Sequence, residues 1–223
     1  MIPSSQGCYK SLLTLSAIFP CLAHSQPLAQ ISIATGILQQ DYREFSASAP
    51  NGILDRETGN INIMQIQANY LPTLSISKLN LPLYLQGPYR LSTGNTQYDG
   101  YLQQGYYFTP YHTETANTIK DGHLRLGARI DVSNQWQLAP YTEYGQHRWL
   151  RTLTQYQETF RHNNLSFGVL TQYQPVKKWQ LQLDVATGQI KNAHINIPNL
   201  KFSASLGNER VTNLDMTVNY NFS

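Results

Sequence analysis

Residues 211–223 read V-T-N-L-D-M-T-V-N-Y-N-F-S, with Leu214, Met216, Val218, Tyr220 and Phe222 on one face and Asp215, Thr217, Asn219 and Asn221 on the other. A period of two over this length specifies a strand with one apolar and one polar side. Two environments suit such a strand. A soluble sandwich would turn the apolar side to its core, whereas a membrane barrel would turn it to lipid and keep the polar side within.

The same alternation recurs toward the N-terminus. Residues 60–70 set Met64, Ile66, Ala68 and Tyr70 against Gln65, Gln67 and Asn69, and residues 80–91 set Leu81, Leu83, Leu85, Tyr89 and Leu91 against Tyr84, Gln86 and Arg90. Residues 121–131 oppose Leu124, Leu126, Ala128 and Ile130 to His123, Arg125, Arg129 and Asp131; residues 135–150 oppose Trp136, Leu138 and Tyr144 to Tyr141, Glu143 and His147. In the next two strands Leu165, Phe167, Val169, Thr171 and Tyr173 face away from Ser166, Gly168, Gln172 and Gln174, and Trp179, Leu181, Leu183 and Val185 away from Gln180, Gln182 and Asp184. A less regular strand over residues 30–46, broken around Gly36, precedes them all.

Short connections at 70–79, 132–135 and 174–178 alternate with long segments at 48–59, 92–119, 151–163 and 190–210, which carry many turn-forming residues. An even number of strands and the alternation of short and long connections predict an all-β fold, an eight-stranded antiparallel up-and-down transmembrane β-barrel with its long loops on one exposed rim.

The beginning of the chain differs in character. Leu12, Leu13, Leu15, Ala17, Ile18, Phe19 and Leu22 follow Lys10, and Ala23-His24-Ser25 supplies small residues for cleavage, so residues 1–25 read as a signal peptide and 26–223 as the outer-membrane β-barrel domain. Cys8 and Cys21 both fall in the leader, which leaves the remaining chain without a disulfide or a thiolate ligand. Charged residues make up only 13% of the chain with a net charge of +3, and no basic cluster argues for nucleic acid. Mean hydropathy is -0.39, a value that strands of alternating character produce whether or not one of their faces meets lipid.

The two faces carry separate expectations. On the polar side, Arg125, Arg129, Glu143, Tyr141, Asp184 and Asp215 form the candidate interior network, because counting back across Ser133-Asn134 brings both arginines near Glu143 and Tyr141. On the apolar side, Trp136, Trp179, Tyr173, Tyr220 and Phe222 lie at or near strand ends, as an aromatic girdle at a membrane interface requires. The six histidines have no zinc-motif spacing, so no metal site is expected. His123 and Glu143 lack a serine on the same face to complete a hydrolase triad; no catalytic residue and no cofactor is expected.

In this layout the chain resembles the small outer-membrane barrels of Gram-negative bacteria, the group of OmpA-like transmembrane domains and OmpX- and OmpW-like proteins. The resemblance extends to the terminal aromatics Tyr220 and Phe222, although Ser223 follows where that group ends on the aromatic. It implies residence in the cell outer membrane, partnership with outer-membrane lipid and the barrel-assembly machinery, and a closed polar interior under surface loops that serve a structural or surface-interaction role toward an unknown surface ligand. The alternatives are a narrow channel for small hydrophobic solutes, a lipid-modifying barrel enzyme, and a soluble lipocalin-like barrel with the two faces reversed.

Overall fold

The structure, a computed structural model, describes residues 13–17, 29–46, 49–76, 79–104 and 107–220. Its elements are β1 (Leu13–Ala17), β2 (Ala29–Phe45), β3 (Ile53–Tyr70), β4 (Thr73–Ile76), β5 (Leu79–Gln104), β6 (Tyr107–Ala128), β7 (Ile130–Asp131), β8 (Trp136–Leu153), β9 (Tyr156–Val176), β10 (Trp179–Ile197) and β11 (Phe202–Tyr220). A single turn of 3-10 helix, Pro198–Leu200, links the last two. All the strands belong to one eleven-stranded antiparallel sheet in the order β1-β2-β3-β5-β6-β8-β9-β10-β11, with β4 paired to β5 and β7 paired to β8 off that path.

Two expectations fail here. The sheet is not a closed barrel of eight strands, because among the described residues no ladder joins β2 to β11. The second edge of β2 pairs instead with β1, from Leu13 opposite Gln39 to Ala17 opposite Thr35, which occupies backbone groups that a closing strand would need. The rest of the expected signal peptide, and Phe222, lie outside the described residues.

Among the described residues the long loops are also absent as loops. β5 runs to Gln104 and β6 starts at Tyr107, so the segment 92–119 is a hairpin in regular register, with Asp99 opposite His112 and Gly100 opposite Tyr111. The segments 151–163 and 190–210 are likewise mostly strand, reversing at Thr154 and Lys201, which hold φ of 53° and 49°. Past the apolar stretch these strands keep a period of two, but carry it in Thr and Tyr, as at Thr96 and Tyr98 and at Thr113 and Thr115. β-branched and aromatic side chains favour extended backbone without adding apolar alternation. At two glycines the ladder needs the missing side chain: a Cβ at Gly127 would press on the Pro140 carbonyl, and one at Gly188 on the Leu165 carbonyl and Ser166.

The sheet rolls up on itself. In strand order β2 and β8 are separated by β3, β5 and β6, yet the rings of Tyr42 and Trp149 meet edge-on at 5.2 Å. Those two join Leu38, Ile61, Ile63 and Ile119 in an apolar cluster on the inner face, with Phe160 stacked on Trp149 at 5.0 Å. A second cluster, Tyr84, Ala139, Tyr141, Leu170 and Ala186, lies further along the same inner side. The inside is therefore layered, apolar between charged, and is not the uniformly polar interior expected from the glutamines and arginines.

The outer face is apolar over a continuous stretch. Ile31 is 68% exposed, Phe167 60%, Leu214 69% and Met216 72%, and the belt continues through Met64, Leu124, Leu126, Val169, Leu183 and Val218. On β9 it extends from Leu165 to Tyr173, about 26 Å at a rise of about 3.3 Å per residue. This assignment of faces excludes the lipocalin-like alternative, which requires the Leu and Val side chains within.

Candidate functional site

The inner face carries three charged layers along the roll. The first centres on Arg125 of β6. Its Nε donates to Glu143 of β8, and its Nη1 donates to Asp184 Oδ2 of β10 at 2.6 Å and to Gln86 Oε1 of β5 at 3.1 Å. The Arg125 guanidinium lies 4.7 Å from the Tyr141 ring centroid, and the Tyr141 hydroxyl donates to Asp184 Oδ1 at 2.6 Å. Glu143 also accepts from His123 Nδ1 at 3.0 Å and from Asn164 Nδ2 at 3.2 Å.

The structure thus brings together Arg125, Glu143, Tyr141 and Asp184 from the expected network. It does not bring Arg129 or Asp215 into the cluster. Arg129 falls in the break between β6 and β7, where its backbone NH donates to Pro82 and its side chain meets Asp131 at 3.5 Å. Asp215 stands opposite Asp184 in the β10–β11 register but is exposed, because no strand flanks β11 on its far side among the described residues.

The second layer lies four residues further along β6. Asp121 accepts from Arg90 Nη2 at 3.0 Å and from His147 Nδ1 at 2.5 Å, and the His147 ring stacks on His162 at 4.5 Å. The third layer, beyond the apolar inner cluster, surrounds Arg151 of β8. Arg151 donates from Nε to Glu57 and from Nη1 to Glu158 at 3.0 Å, while Asp55 lies 4.0 Å away and accepts from the Tyr98 hydroxyl at 2.5 Å. Residues Asp121, Glu57, Arg151 and Glu158 were absent from the expected network. The sequence alternation puts Arg90 and His147 on inner faces, whereas Arg151 and Glu158 lie in the segment 151–163 expected as a loop, with no apolar alternation to signal their burial.

The third layer lies beyond the apolar belt and holds more carboxylates than cations. Burial pushes the Asp55, Glu158 and Glu44 carboxyls above their ordinary values, with Arg151 opposing the shift in all three and neighbouring carboxylates adding to it at Glu158 and Glu44. A raised carboxyl pKa stabilises the fold below the ordinary value and gives up that stability as pH rises through the folded value. Backbone amides of 53–58 and 151–159 are therefore expected to exchange more slowly at pH 5 than at pH 8 once the intrinsic pH dependence of exchange is divided out. Equal or reversed protection would refute the assignment.

The chemistry available is limited. His123 and Glu143 meet, but Glu143 is committed to Arg125, and no hydrogen bond links a serine to His123 among the described residues. The described residues also contain no group of three or more His, Cys, Asp or Glu able to hold a metal ion. On the outer face the girdle residues pair at one end of the belt: Trp136 with Tyr173 at 6.2 Å and Trp179 with Tyr220 at 4.8 Å. No helix of the described residues is long and apolar enough to cross a membrane, which has no bearing on strands.

No family model and no curated protein matches the chain. Among solved structures it is similar to the outer membrane protease OmpT from Escherichia coli, with a TM-score of 0.40 and 14% identity over 86% of this chain and 79% of that one. This corrects the expected resemblance to OmpA-, OmpX- and OmpW-like barrels: the likeness found is to a different outer-membrane protein, and it carries nothing about catalysis. The open sheet, with the long loops missing among the described residues, removes the closed structural or surface-interaction barrel as the account of this chain.

Proposed function

We propose that the protein resides in the outer membrane with its apolar belt against lipid, and that the open margin, where among the described residues no strand joins β11 to the β1–β2 edge, gives small, largely hydrophobic solutes a lateral path between the bilayer and the inside of the sheet. The observation that carries this is the contrast across the β10–β11 register: Asp184 is buried, whereas its partner Asp215 on the same inner side is exposed. On the other side of the margin β2 presents small inner residues, Ser32 and Ala34, on the part of its edge that β1 does not pair. An axial path is disfavoured because the three charged layers and the apolar cluster between them cross the inside.

Lipid is the medium that the outer face supports. Exposed apolar side chains around the sheet far exceed the isolated patches that soluble monomers tolerate. Replacing Leu183 by Lys is expected to destabilise the protein in a bilayer by about 2–4 kcal/mol, the cost of a cation near the midplane of a lipid-facing strand. Urea unfolding in vesicles measures it, and an unchanged midpoint would remove the membrane placement. For the lateral path, vesicles containing the protein should take up a hydrophobic fluorophore faster than empty vesicles without gaining ion conductance. Uptake at the rate of empty vesicles overturns it. We assign the protein no catalytic step.

A further inference from the structure

The outer face has a shaped feature apart from the belt itself. At the end where β8 begins and β9 turns into β10, a groove of about 610 Å³ is lined by Trp136, Tyr173, Leu181, Leu183 and Met216. Its wall is held in place: Trp136 Nε1 donates to Thr171 Oγ1 at 2.6 Å, and Gln135 Nε2 donates to the Pro175 carbonyl at 3.3 Å, tying the β7–β8 turn to the β9–β10 turn. That second turn presents Lys177 and Lys178, both exposed, and neither forms an ion pair among the described residues. The acid on this rim, Asp131, already faces Arg129 at 3.5 Å.

An apolar trough whose lining residue Gln135 is bonded to a turn carrying two exposed lysines has the polarity of a lipid with a negatively charged head. We propose that this groove is a binding site for an anionic phospholipid, with an acyl chain along Tyr173, Leu181 and Met216 and the phosphate at Lys177 and Lys178. The Trp136 ring would mark the level of the glycerol backbone, where an amphipathic aromatic is most favourable. This rests on the membrane placement proposed above but is not implied by it, since a belt that only contacts bulk lipid would show no preference for head-group charge.

Tryptophan fluorescence can separate the two ideas. The chain has three tryptophans, of which Trp149 is buried on the inner side at 3% exposure, so quenching by lipid reports Trp136 and Trp179. The full chain is refolded into phosphatidylcholine vesicles containing equal fractions of brominated phosphatidylglycerol or brominated phosphatidylcholine. Brominated phosphatidylglycerol is expected to quench at a lower mole fraction, by up to about fivefold per lysine at low salt, with the preference shrinking as salt is raised. Lys177→Gln with Lys178→Gln should bring the ratio to one while quenching by either lipid persists, and Trp136→Phe should remove more of the anionic-lipid signal than Trp179→Phe. A ratio of one in the unmodified protein, or an unchanged ratio in the lysine variant, overturns the site and leaves the membrane placement standing. Absence of quenching by both lipids overturns the placement and the site together.

Discussion

Arg151→Ala is expected to lower the stability of the folded protein by about 3–5 kcal/mol at pH 8, the cost of leaving buried carboxylates without their cation. Arg151 is 2% exposed and Glu57 is 0% exposed, so water cannot take over the role of the missing guanidinium. Glu57 would lose its Nε donor and Glu158 its Nη1 donor, and Asp55 would lose the positive charge 4.0 Å away. Packing is lost as well, because the guanidinium lies 5.3 Å from the Tyr98 ring centroid, 5.8 Å from Tyr42 and 5.9 Å from Trp149. Arg151→Lys should recover little, since a single ammonium cannot reach Glu57 and Glu158 with the fork that now serves both. The deficit should narrow at pH 5, because Asp55 and Glu158 already hold raised pKa values and protonate further without their cation. Urea unfolding of the refolded protein at the two pH values measures both effects. A midpoint at pH 8 equal to that of the unmodified protein would show that the layer contributes nothing to stability.

How much of this was legible in the sequence depended on where along a strand one looked. Within the belt the period of two in Leu, Ile and Val fixed both strand and face, so that Leu183 outward and Asp184 inward follow directly from their neighbours. The Arg125–Glu143 pairing was also legible, since a tight turn at Ser133-Asn134 sets the register of the two strands it joins; the two residues are opposite one another in the ladder. Counting through the turn failed for Arg129, because the strand breaks there and β7 restarts the ladder at Ile130. Beyond the belt the signal changed alphabet. Gly94, Gly100 and Asn95 read as turn formers, but each is paired with β6 inside the ladder, and the two glycines leave room for Ile61 and Tyr98 against the backbone. Closure was the least legible property of all. It depends on whether two edges distant in sequence find each other, and no local pattern in residues 29–45 or 202–220 specifies the partner of the outer edge.

Arg125→Ala is expected to cost about as much as Arg151→Ala, again about 3–5 kcal/mol, but by a different route. One cation here serves two carboxylates on strands that are not neighbours, Glu143 on β8 and Asp184 on β10, and it also holds Gln86 on β5. Losing it leaves two buried negative charges on the same inner layer, with Glu143 retaining His123 and Asn164 as donors and Asp184 retaining only Tyr141 among its described hydrogen bonds. Asp184 is therefore the partner whose neutralisation should help more. Asp184→Asn in the Arg125→Ala background is expected to recover part of the loss, and Glu143→Gln in the same background less. The size of the recovery distinguishes charge balance from shape. A neutral triple variant, Arg125→Met with Glu143→Gln and Asp184→Asn, keeps most of the volume and removes every formal charge of the bridge, so it should unfold near the midpoint of the unmodified protein if uncompensated charge is the main cost. If the triple variant is as unstable as Arg125→Ala, the bridge stabilises by fitting β6 against β10 across the inside of the roll, and the curvature of the open sheet depends on that fit.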